Sequence, residues 1–352
     1  MPQFIGNNKA LNNRQGSAGG LKRRIFLIHK FEDIICLDNL LKAWKEFLSG
    51  KRKKRDVQEF SLYLMDNLFS LHNDLRNHTY THGGYQAFNI SDPKPRNINK
   101  AVVRDRLFHH AIYRVLYPFF DRIFIADSYS CRIGKGTHRA LNRFRKFRCI
   151  VSKNNTCTCW ILKCDIRKFF DNIEHQILIS ILKSHIPDQN TIWLLEKVIH
   201  SFSKTSGKGL PLGNLTSQLF VNIYMNKFDQ FVKHRMKAKY YIRYADDFII
   251  LSYDKSWLEE LLPKIGDFLS EELALQLHPD KVFIKTLYSG IDFLGWVHFP
   301  KYRVLRTSTK WRMFARLEKT QKDEVISSYL GLLKHGNANK LRNMIKYMRC
   351  SI

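Results

Sequence analysis

The sequence predicts an α+β fold in which helices surround a small antiparallel sheet. Two observations carry this prediction. Apolar residues recur at helical spacing over long stretches of the 352-residue chain, and Tyr240–Leu251 (YYIRYADDFIIL) places two β-rich runs on either side of a short acidic segment. The second pattern is typical of a hairpin in a buried sheet, with Ala245, Asp246 and Asp247 in its turn.

The first part of the chain is predicted to be mainly helical. Residues 1–29 are assigned to an N-terminal arm because their beginning is polar and has few apolar anchors. Helical periodicity then predicts two helices joined by the basic corner Lys51–Arg55, and Thr79–Asn99 suits a loop or short hairpin. Periodicity returns over Val102–Tyr117 and is expected to stop at Pro118.

The middle of the chain alternates between segments with helical periodicity and segments typical of strands. Thr137 is a candidate N-cap for a helix that continues through Phe144. Trp160–Cys164 reads as a buried strand, and the helical face after it is expected to stop at Pro187.

The last third continues this alternation. Apolar spacing predicts a helix from Trp257 to Leu273 with a break or kink at Pro263. Phe283–Ile284 and Phe293–Val297 are expected to be strands, and a helical pattern closes the chain.

Charge and composition restrict the class of protein. The chain has 59 Lys+Arg against 31 Asp+Glu, a formal charge of +28, and 44% hydrophobic residues, so it is expected to fold and to bind a polyanion such as nucleic acid. No apolar run approaches the ~20 residues of a membrane span, and the N-terminus lacks the apolar core of a secretory signal. Seven cysteines, an odd number, favour reduced thiols. The four between Cys149 and Cys164 do not have standard zinc spacing.

Three carboxylates indicate metal chemistry. Adjacent anions in an apolar hairpin are costly unless cations neutralise them, so Asp246 and Asp247 point to a metal site. Asp165, at the end of the buried strand, is expected to join them. Such a cluster suits two Mg²⁺ ions that activate a 3′-hydroxyl and neutralise a triphosphate, which is nucleotidyl transfer. Taken one at a time, these residues have a simpler explanation: Asp246 and Asp247 would be a plain hairpin turn, and Asp165 would be a helix cap.

The motifs resemble those of reverse transcriptases. Tyr244–Asp247 is similar to the family's Y-x-D-D box, and Asp165–Phe170 (DIRKFF) to its first aspartate motif. Five further segments resemble family motifs in the same order: Pro93–Arg106, Ser128–Thr137, Gly209–Gln218, His278–Lys281 and Gly290–Trp296. The resemblance covers about residues 80–300 and implies a right-hand polymerase that uses two Mg²⁺ ions, with Mn²⁺ as a possible substitute, and deoxynucleoside triphosphates.

The central motif of the family, Gly209–Gln218 in this chain, narrows the resemblance to a subfamily. Leu212-Gly213 and Ser217-Gln218 stand where most intron-type and retroviral members have Gln-Gly and Ser-Pro. This pattern is similar to reverse transcriptases of diversity-generating retroelements, a group II intron-like family that misincorporates opposite template adenines. The resemblance implies a structured template RNA, a cDNA/RNA hybrid and a small basic oligomeric accessory protein as partners, no membrane, and the cytoplasm of a bacterial or phage host cell.

The resemblance also assigns roles to single residues. Asp165, Asp246 and Asp247 match the catalytic, metal-binding positions, with Ile166 beside them as a further metal and nucleotide contact, and Lys281 matches a candidate general acid for pyrophosphate. Phe170 matches the aromatic residue that would clash with a ribose 2′-OH, and Arg96, with Lys94, would pair with the triphosphate. The remaining expected nucleotide contacts are Leu212, Gly213, Gln218 and Tyr244.

Leu212 is the departure that bears on fidelity. An aliphatic side chain cannot make the hydrogen bond that the usual Gln makes near the incoming nucleotide, so discrimination between right and wrong base pairs should loosen. We therefore expect Leu212 and Gln218 to contribute to errors at template adenines.

The resemblance gives the expected domains. Fingers with an N-terminal helical region occupy residues 30–160, the palm occupies 161–300 with fingers helices inserted at about 180–235, and a small helical thumb occupies 301–352. The basic surplus is expected to line the hybrid channel.

Alternatives remain at this point. A group II intron-like, retron or defence-associated reverse transcriptase would keep the same aspartates. A protein-primed or template-independent transferase would ignore the template sequence, and a non-enzymatic RNA-binding scaffold would not need the aspartates.

Overall fold

A computed structural model describes residues 25–91, 95–320 and 322–350, with side chains described up to 347. The helices are α1 (Phe31–Ile35), α2 (Leu37–Phe47), α3 (Arg55–Leu62), α4 (Leu64–Arg76), α5 (Val103–Ile123), α6 (Thr137–Val151), α7 (His175–Lys183), α8 (Gln189–His200), α9 (Leu215–Gln230), α10 (Lys255–Leu273), α11 (Thr307–Lys319), α12 (Asp323–Leu333) and α13 (Asn339–Cys350). The strands are β1 (Tyr85–Ile90), β2 (Arg96–Ala101), β3 (Trp160–Asp165), β4 (Tyr241–Tyr244), β5 (Asp247–Ser252), β6 (Phe283–Thr286), β7 (Ile291–Phe293), β8 (Trp296–His298) and β9 (Arg303–Leu305).

The N-terminal helices pack around α5. The predicted second helix is in fact two, α3 and α4, because Tyr63 leaves helical geometry at φ −115° and ψ 39°. The region after them forms the predicted hairpin, in which β1 and β2 are antiparallel. The α5 helix continues through Pro118 to Ile123, so the predicted stop was wrong. Its apolar face explains this, since Leu116 and Phe120 on either side of the proline are fully buried.

A four-stranded antiparallel sheet in the order β4-β5-β3-β6 forms the centre of the fold. The predicted hairpin is confirmed, because β4 and β5 pair directly on either side of a turn at Ala245 and Asp246. Alternate residues of the sheet enter two hydrophobic cores. Leu162 and Ile250 belong to the larger core with α5 and α9, whereas Ile161 and Ile249 belong to the core with α6 and the C-terminal helices.

The C-terminal part adds a second antiparallel sheet in the order β7-β8-β9. The predicted strand Phe293–Val297 is instead a tight hairpin, because Leu294 and Gly295 adopt φ values of 52° and 83° between β7 and β8. The α10 helix is continuous across Pro263, so the expected break is absent from it. The helices α11, α12 and α13 follow, in agreement with the helical pattern. None of the helices in the described ranges is long and apolar enough to cross a membrane.

Candidate active site

The three aspartates lie at one end of the central sheet. The register of β3 and β5 places Asp165 directly opposite Asp247. Asp246 is in the adjoining turn, where its backbone oxygen accepts a hydrogen bond from the N–H of Ile166 at 3.2 Å. Ala245 in the same turn has φ 57°, and this left-handed residue reverses the chain between the two strands. The strand end and the hairpin turn predicted separately from the sequence are therefore adjacent.

Burial and mutual repulsion raise the pKa values of two of these carboxyl groups. Burial raises the pKa of Asp247 to about 7, with further contributions from Asp246 and Asp165 and an opposing one from Lys163. The pKa of Asp246 is raised by burial and then by the charge of Asp165. Packing anions together in this way disfavours their ionised forms, and a bound cation removes that cost.

Two lysines lie against the aspartates. The Lys281 Nζ atom is 3.1 Å from Asp165 Oδ1, and the Lys163 Nζ atom is 3.3 Å from Asp247 Oδ1. The latter pair has ion-pair distance without hydrogen-bond geometry, so the buried Asp247 Oδ1 has no hydrogen-bond partner in the described structure. The sequence reasoning missed Lys163. Strand alternation could have found it, since it is two residues before Asp165 and therefore on the same face.

The donor chemistry of these residues fits a divalent cation. Carboxylate oxygens are preferred ligands of Mg²⁺, and Asp247 Oδ1, which makes no hydrogen bond to any described residue, already lies beside a positive charge at 3.3 Å from Lys163 Nζ. Within the described ranges, no three His, Cys, Asp or Glu side chains are arranged as a finished metal-binding group. The backbone thus brings the carboxylates to neighbouring positions, and their side chains do not form a ready-made ligand sphere.

The central motif is attached to the β1–β2 hairpin. The Leu212 backbone oxygen accepts a hydrogen bond from the N–H of Asn99 at 3.0 Å, and Asn214 Nδ2 donates to the Asn99 backbone oxygen at 3.0 Å. Gly213 has φ 107°, and a Cβ there would lie 2.7 Å from Ile98 Cγ2. A glycine is therefore required by both conformation and space. The side chain of Leu212 is partly buried.

The structure describes only one of the two residues that are expected to contact the triphosphate, Arg96 and Lys94. Arg96 is exposed at the start of β2, and its positive charge opposes the rise in the pKa of Asp246. Lys94 lies outside the described residues. One of the two expected cations therefore acts electrostatically on the aspartates.

Phe170 and Tyr244 are held by local contacts. Phe170 lies in a 3-10 helix (Phe169–Asn172), is partly buried, and its backbone oxygen accepts a hydrogen bond from Leu210 of the central motif at 2.9 Å. The Tyr244 hydroxyl accepts one from Thr137 Oγ1 at 3.2 Å. Thr137 was predicted as a helix cap. It is instead the first residue of α6, after Gly136 at the cap position.

Two other nucleotide candidates lie on or near helices. Gln218 is in the first turn of α9 and is partly buried, and its backbone oxygen accepts a hydrogen bond from Asn222 Nδ2 at 3.2 Å. Ile166 is buried directly after β3. The sequence reasoning also missed Arg243 and Asp229, which form a buried ion pair behind the aspartate turn with an Nη2–Oδ2 distance of 2.7 Å. No motif pointed to that pair, because the two residues come from different elements.

Comparison with known proteins gives a consistent result. Protein YkfC of Escherichia coli (strain K12) is 25% identical over 259 residues, covering 63% of this chain and 66% of that protein. The group II intron-encoded protein LtrA of Lactococcus lactis subsp. cremoris is 24% identical over 288 residues, covering 61% and 46%. An uncharacterised 91 kDa protein in the cob intron of Schizosaccharomyces pombe is 28% identical over 279 residues, covering 60% and 32%. The chain thus spans from about a third to just under two thirds of the length of these relatives.

Among solved structures, apo telomerase from Candida tropicalis truncated from its C-terminal domain matches with a TM-score of 0.49 at 14% identity, covering 65% of this chain and 55% of that chain. The model of the family "Reverse transcriptase (RNA-dependent DNA polymerase)" matches residues 91–298, more than half of the chain and including every described motif around the aspartates. With its antiparallel central sheet and the aspartates at one end, the chain has a right-hand polymerase fold and belongs to the reverse transcriptase family, with group II intron-encoded relatives.

Proposed function

We propose that this protein is the error-prone RNA-directed DNA polymerase of a diversity-generating retroelement. The placement of Asp165 opposite Asp247, with Asp246 in the adjoining turn, carries the polymerase part of the proposal. The subtype depends on the central motif, where Leu212 replaces a polar residue in a loop attached to the β1–β2 hairpin.

The chemistry follows from the residues at this end of the sheet. Asp165, Asp246 and Asp247 would hold the two divalent ions, which supply charge neutralisation for the 3′-hydroxyl and the triphosphate. Arg96 would bind phosphate oxygens, since it is exposed and its positive charge acts on Asp246. Lys281, at 3.1 Å from Asp165, is the proposed proton donor to pyrophosphate.

Phe170 is the proposed selector of deoxynucleotides. Its backbone oxygen accepts a hydrogen bond from the N–H of Leu210, which connects Phe170 directly to the central motif. A ribose 2′-hydroxyl would have to displace this partly buried ring, which is restrained by packing.

Template RNA, the RNA/DNA hybrid and a small basic oligomeric accessory protein are the proposed partners. The surplus of positive charge supports the nucleic-acid part of this statement. The proposed fingers, palm and thumb correspond to residues 30–160, 161–300 and 301–352.

The test is primer extension with Mg²⁺ and four deoxynucleotides on RNA of mixed sequence, followed by sequencing of the cDNA. We expect errors concentrated at template adenines, no product from a D246A/D247A double variant, and fewer adenine errors from Leu212→Gln. An adenine error rate that Leu212→Gln leaves unchanged would remove Leu212 from the explanation of fidelity.

A faithful group II intron-like reverse transcriptase is the second candidate. It is favoured by the relatives, several of which are intron-encoded proteins. Accurate copying of template adenines in the same assay would select it over the retroelement enzyme.

A further inference from the structure

The guanidinium of Arg243 lies directly behind the turn formed by Ala245 and Asp246, which leads into β5 at Asp247. Its side chain is 1% exposed, and that of its ion-pair partner Asp229 in α9 is fully buried. Burying an ion pair costs desolvation free energy, so its presence here requires good geometry and complete hydrogen bonding.

All five N–H donors of this guanidinium have acceptors. Nε and Nη2 donate to the two Asp229 carboxylate oxygens at 2.8 and 2.7 Å, and Nη2 also donates to Ser128 Oγ at 3.1 Å. Nη1 donates to Asn222 Oδ1 at 3.3 Å and to the Ala245 backbone oxygen at 3.1 Å. The last of these bonds reaches the aspartate turn itself.

The acceptors come from three separate parts of the chain. Asn222 and Asp229 are on α9, which begins within the central motif, and Ser128 is in the segment before α6. The Arg243 backbone is also fixed to that segment, since its N–H donates to the Asp127 oxygen and its oxygen accepts from Tyr129, each at 3.0 Å. A single side chain therefore ties the turn, the helix after the central motif and the preceding loop together.

We propose that Arg243 is a positioning residue for the catalytic turn, held in place by Asp229 and Asn222. This inference rests on the proposed polymerase function. The planar, fully bonded guanidinium fixes the position of the Ala245 carbonyl. It thereby fixes the positions of Asp246 and Asp247 relative to Asp165. Lysine has three donors on a flexible stem and cannot reproduce five directed bonds.

The test compares three variants with the wild type. Arg243→Lys keeps the charge and removes the fork. Asn222→Ala removes the second acceptor of Nη1 and serves if the lysine variant does not fold. Tyr224→Phe is the matched control, since the buried Tyr224 hydroxyl on α9 donates to the Leu273 backbone oxygen at 2.6 Å and not to a member of the Arg243 network.

Two readouts separate positioning from general stability. Hydrogen exchange by mass spectrometry follows the segment 241–252 in the folded protein, well below each melting temperature. Steady-state primer extension gives kcat and the KM for deoxynucleotide, and fluorescence anisotropy with a labelled hybrid gives the Kd for hybrid. We expect faster exchange and a roughly 10- to 100-fold loss of kcat for Arg243→Lys, a smaller change in the same direction for Asn222→Ala, and hybrid Kd within about twofold of wild type.

Tyr224→Phe should lower the melting temperature and leave exchange of the turn and kcat unchanged. Wild-type exchange and kcat in folded Arg243→Lys would overturn the proposal, and so would equal losses in Tyr224→Phe. If Arg243→Lys does not fold, wild-type exchange and kcat in Asn222→Ala overturn it. If the wild type makes no DNA, the proposed function fails while the exchange measurement still decides the role of Arg243.

Discussion

Burial determines the protonation of His298 at the end of β8. This histidine is 2% exposed, and its ring packs edge-on against Phe144 with centroids 4.6 Å apart. Burial lowers its pKa to about 3, with smaller contributions from Arg303 and Arg148. The folded protein therefore holds this side chain neutral at pH values where the unfolded chain binds a proton.

The stability of the protein should consequently fall in acid. Between the unfolded pKa near 6.5 and the folded value near 3, the unfolded state binds more protons, so each pH unit removes on the order of 1 kcal/mol through His298. We predict that His298→Gln makes the free energy of unfolding less steeply dependent on pH between 6.5 and 4. Urea denaturation across this range measures the slope, with exposed His29→Gln as the control. An unchanged slope in His298→Gln would contradict the assignment.

Gly213 is the second residue whose environment permits a specific prediction. Its φ of 107° opposes a side chain, and so does the space around it, since an added Cβ would approach Ile98 Cγ2 to 2.7 Å. We predict that Gly213→Ala costs about 1–3 kcal/mol of stability and displaces the central motif, lowering kcat/KM for deoxynucleotides.

A double-variant cycle separates the two causes. Ile98→Ala removes the clash and leaves the backbone strain, so the combined variant should recover part of the loss in unfolding free energy. Strict additivity of the two changes would show that the clash contributes nothing.

At the scale of elements, the link between α12 and α13 packs against Trp296. This residue belongs to the core that contains α6 and the C-terminal helices. A Cβ on Gly336 would overlap the Trp296 ring, with Cε3 at 2.8 Å, and Trp296 is 1% exposed. The guanidinium of Arg303 also lies over the Trp296 ring, with its Cζ atom 5.4 Å from the ring centroid. The C-terminal helices are therefore attached to the β7–β9 sheet through a contact that only glycine allows.

We predict that Gly336→Ala destabilises this attachment by about 1–3 kcal/mol and increases hydrogen exchange in α11, α12 and α13. Gly331→Ala is the matched control, since a Cβ at this position inside α12 would meet nothing within 4 Å. Removing a glycine from a helix interior should stabilise the protein by about 0.5–1 kcal/mol. Similar effects of the two substitutions would mean that the Trp296 contact is unimportant.

At the scale of the whole molecule, the net charge predicts how the protein would bind the proposed nucleic acid. With +28 formal charges, the chain should hold a hybrid mainly through its phosphates. We predict that log Kd rises linearly with log salt concentration and that affinity falls roughly 10³- to 10⁵-fold between 50 and 200 mM, as for 6–10 phosphate contacts. Fluorescence anisotropy with a labelled RNA/DNA hybrid measures this, and a flat salt response would contradict it.

Local patterns in the sequence determined much of the fold and the candidate site. The alternation around Tyr240–Leu251 specified the hairpin, and the apolar run before Asp165 specified its strand, because strand periodicity and turn chemistry depend on neighbouring residues. The motifs around the three aspartates could be identified from the sequence for the same reason. Proline was a poorer guide, since packing of α5 and α10 carries both helices through Pro118 and Pro263.

Only the tertiary structure decided how these pieces meet. The register that sets Asp165 opposite Asp247, the Lys163 contact and four of the five bonds of Arg243 join residues that are 14 to 115 positions apart in the chain. No local pattern encodes such contacts, because they depend on how helices and strands pack to bury their apolar faces. The sequence by itself thus determined which carboxylates are candidates for the site, and packing decided what surrounds and supports them.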